Sequence, residues 1–198
     1  MTTAGPQDTR TRILETALEL FSEQGFDGTR LQQIADRLGF TKAALYYHFR
    51  SKDDILLALV TPALTGMNEL LDAHDGLPDS PTQRRRSIEE YLDYLLRHRR
   101  LIAYMTQDLA LLARPEMAAA SADHLKRAGA MLGGDGLDFN EQIRVAMALR
   151  GIGGVIAQYP DADTSELRAA LLDATRALLR GGRRRPHGTA STAKAAGT

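Results

Sequence analysis

The chain contains no cysteine among its 198 residues. Disulfide bonds, thiol nucleophiles and cysteine-ligated zinc are therefore excluded, and the fold must be held together by packing. No run approaches the roughly 20 apolar residues that a membrane helix needs. The N-terminal segment MTTAGPQDTRTR also lacks the apolar centre of a signal peptide. These absences predict a soluble, cytoplasmic protein with no membrane segment.

An excess of one charge is also lacking, because 25 basic side chains balance 25 acidic ones. A neutral chain argues against a protein coated in nucleic acid, since phosphates are neutralised by clustered lysine and arginine. The distribution is uneven, however. Residues 41–52 and residues 181–198 carry basic side chains and no acidic ones. This asymmetry is typical of a small phosphate-facing patch on a neutral body.

Patterns that indicate catalysis are missing as well. The sequence has no HExxH motif and no phosphate-binding loop, and its histidines are scattered. Asp72, His74 and Asp75 lie close together, but aspartate-rich loops usually end helices rather than bind metals. We therefore predict no enzyme, no metal site and no cofactor.

The sequence does contain clear signals for the starts and ends of helices. It has almost none of the alternation of apolar and polar residues that marks strands, which predicts an all-α protein. The segment DAHDGLPDSP at 72–81 is the clearest internal break. The predicted helices span about 10–24, 29–38 and 41–48, begin again at 52, and then span about 82–97, 99–113, 116–132, 139–158 and 163–180.

Local signals mark the ends of the first helices. Gly25 followed by Phe26 suits a left-handed cap in which Phe26 folds back onto Phe21. Thr29 and Gln32 have the spacing of a capping box for the second helix.

Further signals mark the next two helices. Gly39 predicts a sharp turn, and Thr41 and Ser51 are predicted to cap the third and fourth helices. Pro62 is expected to kink or break the fourth helix.

Residues 28–52, GTRLQQIADRLGFTKAALYYHFRSK, therefore join two short helices through a tight glycine turn. A helix-turn-helix needs a first helix that packs, a sharp turn and a second helix that presents donors to phosphates and bases. The stretch meets all three requirements. It predicts a DNA-binding domain.

Residues 10–57 closely resemble the DNA-binding domain of the tetracycline-repressor (TetR) family of bacterial transcription regulators. The LF…GF entry, the IA…LG first helix, the LYYHF recognition segment and the SKDDIL exit occur together. The resemblance implies an N-terminal three-helix DNA-binding domain with the helix-turn-helix at 1–52. A larger helical effector-binding and dimerisation domain would follow at 53–180. The composition of 181–198 predicts a disordered basic tail.

The second helix of the motif supplies the main candidate DNA contacts. Lys42 is the candidate base or phosphate contact, and the small Ala43 and Ala44 allow a close approach to the groove. Leu45 and Phe49 are interpreted as core. The resemblance implies that the next polar side chains touch the DNA backbone and flanking bases, and that a lysine at the start of the fourth helix holds a phosphate. These residues are Tyr46, Tyr47, His48 and Lys52.

Several assignments stay open at the level of sequence. Periodicity does not decide which of Tyr46 and Tyr47 faces the core. Either Thr29 caps the second helix, or Arg30 is itself a phosphate contact. The remaining DNA-binding candidates are Thr29, Arg30, Gln32, Gln33 and Thr41.

The last two helices are predicted to form a dimer interface. The segment IRVAMALRGIGGVIA is almost continuously apolar, and the following helix spaces its leucines as a seam. Two helices from each chain would form an isologous four-helix bundle, as in the family, although an internal core is the alternative. The predicted interface residues are Ile152, Val155, Ile156, Leu167, Leu171, Ala174 and Leu178.

Methionines and tyrosines between these regions predict an adaptable, mostly apolar pocket for a small organic effector. Arg150 is either a dimer salt bridge or a counter-charge for an acidic ligand, and the arginines at 84–86 are interpreted as solvated helix ends. The predicted pocket residues are Met67, Tyr91, Tyr94, Tyr104, Met105, His124, Met147 and Arg150.

Together these features predict a homodimeric repressor that binds a near-palindromic double-stranded DNA operator and is released by a small effector. The alternatives are an activator, or a ligand-independent DNA-binding or protein-docking module. The sequence does not specify the operator, the effector or the regulated genes.

Overall fold

The computed structural model describes residues 6–134 and 136–180, so the predicted tail at 181–198 lies outside the described residues. Every regular element within the described part is a helix, which confirms the all-α prediction. The helices are α1 (Pro6–Gly28), α2 (Leu31–Leu38), α3 (Lys42–His48), α4 (Lys52–Asp72), α5 (Pro81–Arg97), α6 (Arg99–Gln107), α7 (Leu109–Leu112), α8 (Pro115–Gly133), α9 (Phe139–Gln158) and α10 (Thr164–Arg180).

The glycine and hydroxyl signals in the N-terminal third are confirmed. Gly25 has a positive φ of 77°, and the rings of Phe21 and Phe26 lie 5.3 Å apart between centroids. Gly39 ends α2 in the left-handed conformation, which turns the chain into α3. Ser51 caps α4 by accepting a hydrogen bond from the amide of Asp54 at 3.0 Å.

One expectation about helix continuity is wrong, and of the kink or break expected at Pro62, the break does not occur. The helix predicted at 99–113 is divided, because Asp108 leaves the helical conformation and its carboxylate caps α7 by accepting from the amide of Leu111 at 3.0 Å. Pro62 does not break α4, which runs from Lys52 to Asp72. Its neighbours Val60 and Ala63 are buried, and their packing offsets the backbone hydrogen bond that proline cannot donate.

Two apolar cores lie along the chain, and α4 contributes to both. The first core joins α1–α3 to the first half of α4, and it also takes in Leu101, Tyr104 and Leu111 from α6 and α7. The second core joins Met67 and Leu71 of α4 to α5, α8, α9 and α10. The N-terminal helices are therefore packed directly on the larger helical region.

The length and composition of α4 alone would allow it to cross a membrane, since its most apolar window has a mean hydropathy of 1.3. A core helix of a soluble protein passes the same test. Six of its side chains, from Ile55 to Leu71, are buried in the two cores.

Candidate DNA-binding surface

The recognition helix α3 is held by its apolar side. Leu45 is fully buried and Phe49, just after the helix, is 3 % exposed, and both pack on a core that includes Ile34 and Ala35 of α2. Thr41 caps the helix by accepting a hydrogen bond from the amide of Ala44 at 3.1 Å, as predicted. The backbone of α3 is thus fixed by contacts that leave its outer side free.

The outer side of α3 carries a set of exposed side chains that we call the α3 surface. Tyr47 is 85 % exposed and Tyr46 is 43 % exposed, so neither tyrosine faces the core. The ammonium group of Lys42 lies 5.7 Å from the centroid of the Tyr46 ring. His48 is half-buried beside Tyr47. The α3 surface consists of Lys42, Ala43, Ala44, Tyr46 and Tyr47.

Thr29 does not belong to an exposed surface, so its assignment as a DNA contact is wrong. Its side chain is 1 % exposed, and its hydroxyl donates to the carbonyls of Gly25 at 2.8 Å and Leu20 at 3.2 Å. It does not cap α2. The N-cap residue is Arg30, whose amide donates to the side-chain oxygen of Gln33 at 2.7 Å, and the side chain of Arg30 is exposed.

The two glutamines of α2 are engaged within the protein. Gln33 caps the helix as described, and its amide nitrogen also donates to Gln24 at 3.4 Å. Gln32 is exposed and donates to the carboxylate of Asp36 at 2.7 Å. Gln33 is thus a positioning residue for the start of α2, whereas Gln32 lies on its solvent side.

Lys52 is directed into the protein. Its ammonium group donates to the carbonyl of Phe26 and, at 2.9 Å, to that of Thr29, and it lies 4.1 Å from the centroid of the Phe26 ring. The Phe26 carbonyl lies in the last turn of α1, and the Thr29 carbonyl lies just after α1 ends. The observed contacts make Lys52 a clamp for the junction between α1 and α2.

We expect Lys52→Ala to lower the free energy of unfolding by about 2 kcal/mol, because two hydrogen bonds from a charged donor are lost. Urea denaturation measures this change, and the exposed Lys42→Ala variant is the matched control, with a change within about 0.5 kcal/mol. Unchanged stability together with a reduced salt dependence of DNA binding would instead make Lys52 the phosphate contact that the resemblance implied.

Two arginines that the sequence reasoning missed flank α3. Arg10 lies over the ring of Phe49 at 4.2 Å and donates to the carbonyl of His48 at 3.5 Å. Arg12 lies 5.4 Å from the centroid of the Phe40 ring. The signal that was available is their position on the polar side of an amphipathic first helix.

A second feature links these helices to the larger region. The amide of Phe26 donates to the Asp108 carboxylate at 3.1 Å, and the guanidinium of Arg114 lies 4.6 Å from the centroid of the Phe26 ring. Arg114 also pairs with Asp53 at 2.9 Å. The α6–α7 turn and the start of α8 are therefore in direct contact with the end of α1 and the start of α4.

The predicted dimer seam requires correction. Ile152, Ile156, Leu167 and Leu171 are 1–6 % exposed within a single protomer, so they form an internal core and cannot meet a partner. Val155 and Leu178 are half-buried, and Ala174 is exposed. The alternative of an internal core is therefore the correct one for the four buried residues.

An apolar row on the opposite side of α9 is exposed instead, and we call it the α9 stripe. Phe139, Ile143 and Met147 are 74 %, 45 % and 59 % exposed. They recur every fourth residue and continue into two exposed glycines, so they share one face of the helix. The α9 stripe consists of Phe139, Ile143, Met147, Gly151 and Gly154.

The predicted effector pocket is not one cavity. Four of the predicted residues are packed in the cores: Met67, Tyr91, Tyr94 and Tyr104. Met147 is exposed, so the assignment of Met147 to a pocket is wrong. The remaining three contribute differently: Met105 packs partly buried against the first core, His124 is half-buried, and Arg150 is exposed.

Hydrogen bonds hold two of the buried tyrosines. The hydroxyl of Tyr91 lies 2.9 Å from Nε2 of His124, and that of Tyr94 donates to the carbonyl of Ala63 at 2.7 Å. Burial raises the pKa of Tyr94 and lowers that of His124, which favours the neutral form of both. These polar groups already have partners.

Two cavities lie elsewhere in the described residues. One of about 290 Å³ lies between the ends of α5, α8, α9 and α10. The other, of about 330 Å³, lies between α8 and α9 and has Arg150 at its wall. Neither includes the predicted methionines or tyrosines.

An exposed recognition helix, supported by two packed helices and followed by a larger helical region, defines a helix-turn-helix protein. The sequence profile of the family described as bacterial regulatory proteins, tetR family, matches residues 13–59. Residues 13–59 therefore carry the sequence of this family's DNA-binding part, and the fold of most of the chain is similar to that of a TetR-family regulator.

Named relatives are similar to the same part. The HTH-type transcriptional regulator AcrR of Shigella flexneri is 37 % identical over 83 residues, which cover 41 % of this chain and 39 % of AcrR. The negative transcriptional regulator IcaR of the icaADBC biofilm operon, from Staphylococcus aureus, is 42 % identical over 60 residues, covering 30 % and 32 %. The matched part therefore covers 39 % of the length of AcrR and 32 % of that of IcaR.

The similarity in structure covers more of the chain than the similarity in sequence. The crystal structure of the TetR-family regulator PfmR from Thermus thermophilus superposes with a TM-score of 0.65 at 29 % identity. The superposition covers 87 % of this chain and all of PfmR. The larger helical region thus shares the fold of a regulator of the same family.

Proposed function

We propose that the protein is a non-enzymatic, cytoplasmic transcription regulator that binds double-stranded DNA through the α3 surface. The observation that carries the proposal is the exposure of Lys42, Tyr46 and Tyr47 on a helix whose opposite side is fully buried. A helix held in this way can enter the major groove without a change in the fold. Arg10, Arg12 and Arg30 would supply phosphate contacts beside it.

In the proposed function, the regulator acts as a homodimer. Exposed apolar patches such as the α9 stripe mark interaction sites, and its two glycines, Gly151 and Gly154, allow two helices to approach closely. The neighbouring helix α10, which packs against α9, also exposes small residues, at Ala170, Ala174 and Ala177. Twofold pairing would repeat the α3 surface for two half-sites about 34–36 Å apart, or a modest variant of that spacing.

Repression with release by a small effector is the finer part of the proposal. IcaR, a relative by its N-terminal part, is a negative regulator. The cavities of the larger region and the Asp108 link to α1 and α2 support a response to a ligand. The proposed division into a DNA-binding part at 1–52 and an effector and dimerisation part at 53–180 follows from this arrangement.

Selection of bound DNA from a random pool tests this function. We expect an inverted repeat, because two identical readers related by twofold symmetry select two matching half-sites. Bound sequences with no repeat would contradict the dimer, and no enrichment at all would contradict specific DNA binding.

Lys42→Ala should weaken binding to the selected DNA by roughly 10-fold and reduce the slope of log affinity against log salt by about two units. The physical reason is the loss of one cation from each of the two α3 surfaces of the proposed dimer. Fluorescence anisotropy at several salt concentrations measures both quantities. Arg86→Ala is the control, because Arg86 is exposed on α5 and pairs with Glu90. Equal losses in the two variants would contradict the assignment of the α3 surface.

A further inference from the structure

The cavity of about 290 Å³ combines an apolar wall with an unusual concentration of charge. It lies at the start of α5 and α9 and at the end of α8 and α10. The glycine at the end of α8 leaves room for this wall, since a Cβ atom on Gly133 would lie 2.7 Å from Leu137 and 2.9 Å from Val145. The apolar lining consists of Ile88, Leu132, Leu137, Val145 and Leu179.

Five arginines line the same cavity, and Glu141 is the one acidic residue among its described lining residues. Two of the arginines are neutralised within the protein, because Arg84 pairs with Asp79 and Arg176 with Glu89. The other three, which make no ion pair within residues 6–134 and 136–180, are Arg85, Arg144 and Arg180.

Among the described residues, the positive charge of these three arginines is therefore not balanced by paired carboxylates. The carboxylate of Glu141 is engaged with the backbone, where it accepts from the amide of Asp138 at 3.0 Å as part of the α9 cap. The Nε group of Arg176 is buried and has no hydrogen-bond partner among the described residues. A buried donor without an acceptor is unfavourable, and an oxygen atom entering the cavity would satisfy it.

We infer that this cavity binds a small organic acid, with its carboxylate beside Arg144 and Arg176 and its apolar body against Ile88 and Val145. At roughly 30 Å³ for each water-sized group, the volume holds about ten non-hydrogen atoms. Arginine suits the planar carboxylate because its donors form two parallel hydrogen bonds. The ligand is the effector of the proposed regulator, and in that role the inference rests on the proposed function.

Titration calorimetry on the full chain without DNA tests the site separately from that function. Octanoate is the probe, and octanamide, with the same number of non-hydrogen atoms and no charge, is the matched compound. We expect octanoate to bind at least 10-fold more tightly than octanamide, because only the acid pairs with the arginines. Inorganic phosphate should bind at least 10-fold more weakly than octanoate, because it cannot fill the apolar part.

Substitutions localise the binding. Arg144→Gln and the exposed Arg85→Gln should each weaken octanoate binding at least 5-fold. Arg86→Gln, on the same helix as Arg85 but outside the cavity, should leave it unchanged. Circular dichroism establishes that the variants are folded.

Three results would overturn the site: no saturable binding of octanoate, equal binding of octanamide, or unchanged affinity in both Arg144→Gln and Arg85→Gln. Binding of octanoate that leaves the complex with the selected DNA intact would overturn its role as effector. Failure to select any DNA would contradict the proposed function without affecting the calorimetric result.

Discussion

Gly151→Arg is expected to leave each protomer folded and to separate the proposed dimer into monomers. A Cβ atom on Gly151 would meet no other group within 4 Å, so the protomer has space for the new side chain. In the proposed dimer the same position lies within the α9 stripe. An unpaired guanidinium held between apolar helices is strongly unfavourable because it loses its hydration.

The loss of the dimer should reduce affinity for the selected inverted repeat by roughly 100-fold or more, because each protomer then binds one half-site without the advantage of a linked second reader. Sedimentation velocity measures the assembly, and anisotropy measures the binding. Ala122→Arg is the matched control, since it adds the same side chain to an exposed position on α8. A Gly151→Arg protein that still sediments as a dimer would place the interface elsewhere.

The correction of the interface shows what periodicity can and cannot decide. The sequence analysis located both helices within one residue, because apolar spacing and caps are local properties. An almost continuously apolar helix, however, has two apolar sides. Which side of α9 packs on its own chain depends on the neighbours α6 and α8, whose positions the sequence does not give. Ile152 and Ile156 lie on the side of α9 that packs on its own chain, and Met147 lies on the exposed side.

The exposed side of α3 could be predicted from the sequence because the signals that determine it are local. The cap at Thr41, the turn at Gly39 and the buried Leu45 are separated by only a few residues, so they fix which side of α3 is exposed. Contacts across the chain were not accessible in this way. The amine of Lys52 meets the carbonyl of Phe26, 26 positions away in sequence, and no local pattern indicates that pairing.

The cavity lining illustrates the same limit. Residues such as Arg84 and Arg85 read as solvated helix ends, since they lie near the start of α5. Arg176 and Arg180 lie almost a hundred positions later at the end of α10. The packing of α10 against α5 brings the arginines at the start of α5 close to those at the end of α10 and so concentrates positive charge at the cavity.

Asp108→Ala is expected to lower the free energy of unfolding by about 2–3 kcal/mol. One carboxylate oxygen caps α7 through the amide of Leu111, and the other accepts from the amide of Phe26. The substitution removes the cap and leaves a backbone donor of the first core without its partner. Asp108→Asn keeps one oxygen acceptor of the two, so its loss should be about half as large.

The effect should depend on pH. Burial raises the pKa of Asp108, but hydrogen bonds from Leu111 and Phe26 outweigh it, and the net pKa is lowered. A carboxyl whose pKa is lowered on folding stabilises the protein above its unfolded value, about 4, and this contribution is lost as the pH falls through the folded value. The difference in unfolding free energy between wild type and Asp108→Ala should therefore be constant from about pH 5 to pH 8 and narrow below about pH 4.

Urea denaturation at several pH values measures this difference, and hydrogen exchange at the amide of Phe26 measures the local contact. Exchange at Phe26 should accelerate in Asp108→Ala beyond what the global loss explains, because the contact between the α6–α7 turn and the N-terminal helices opens first. Equal acceleration at all core amides would mean that Asp108 only stabilises the fold. Selective acceleration at Phe26 would identify the carboxylate as the joint through which the larger helical region positions the α3 surface.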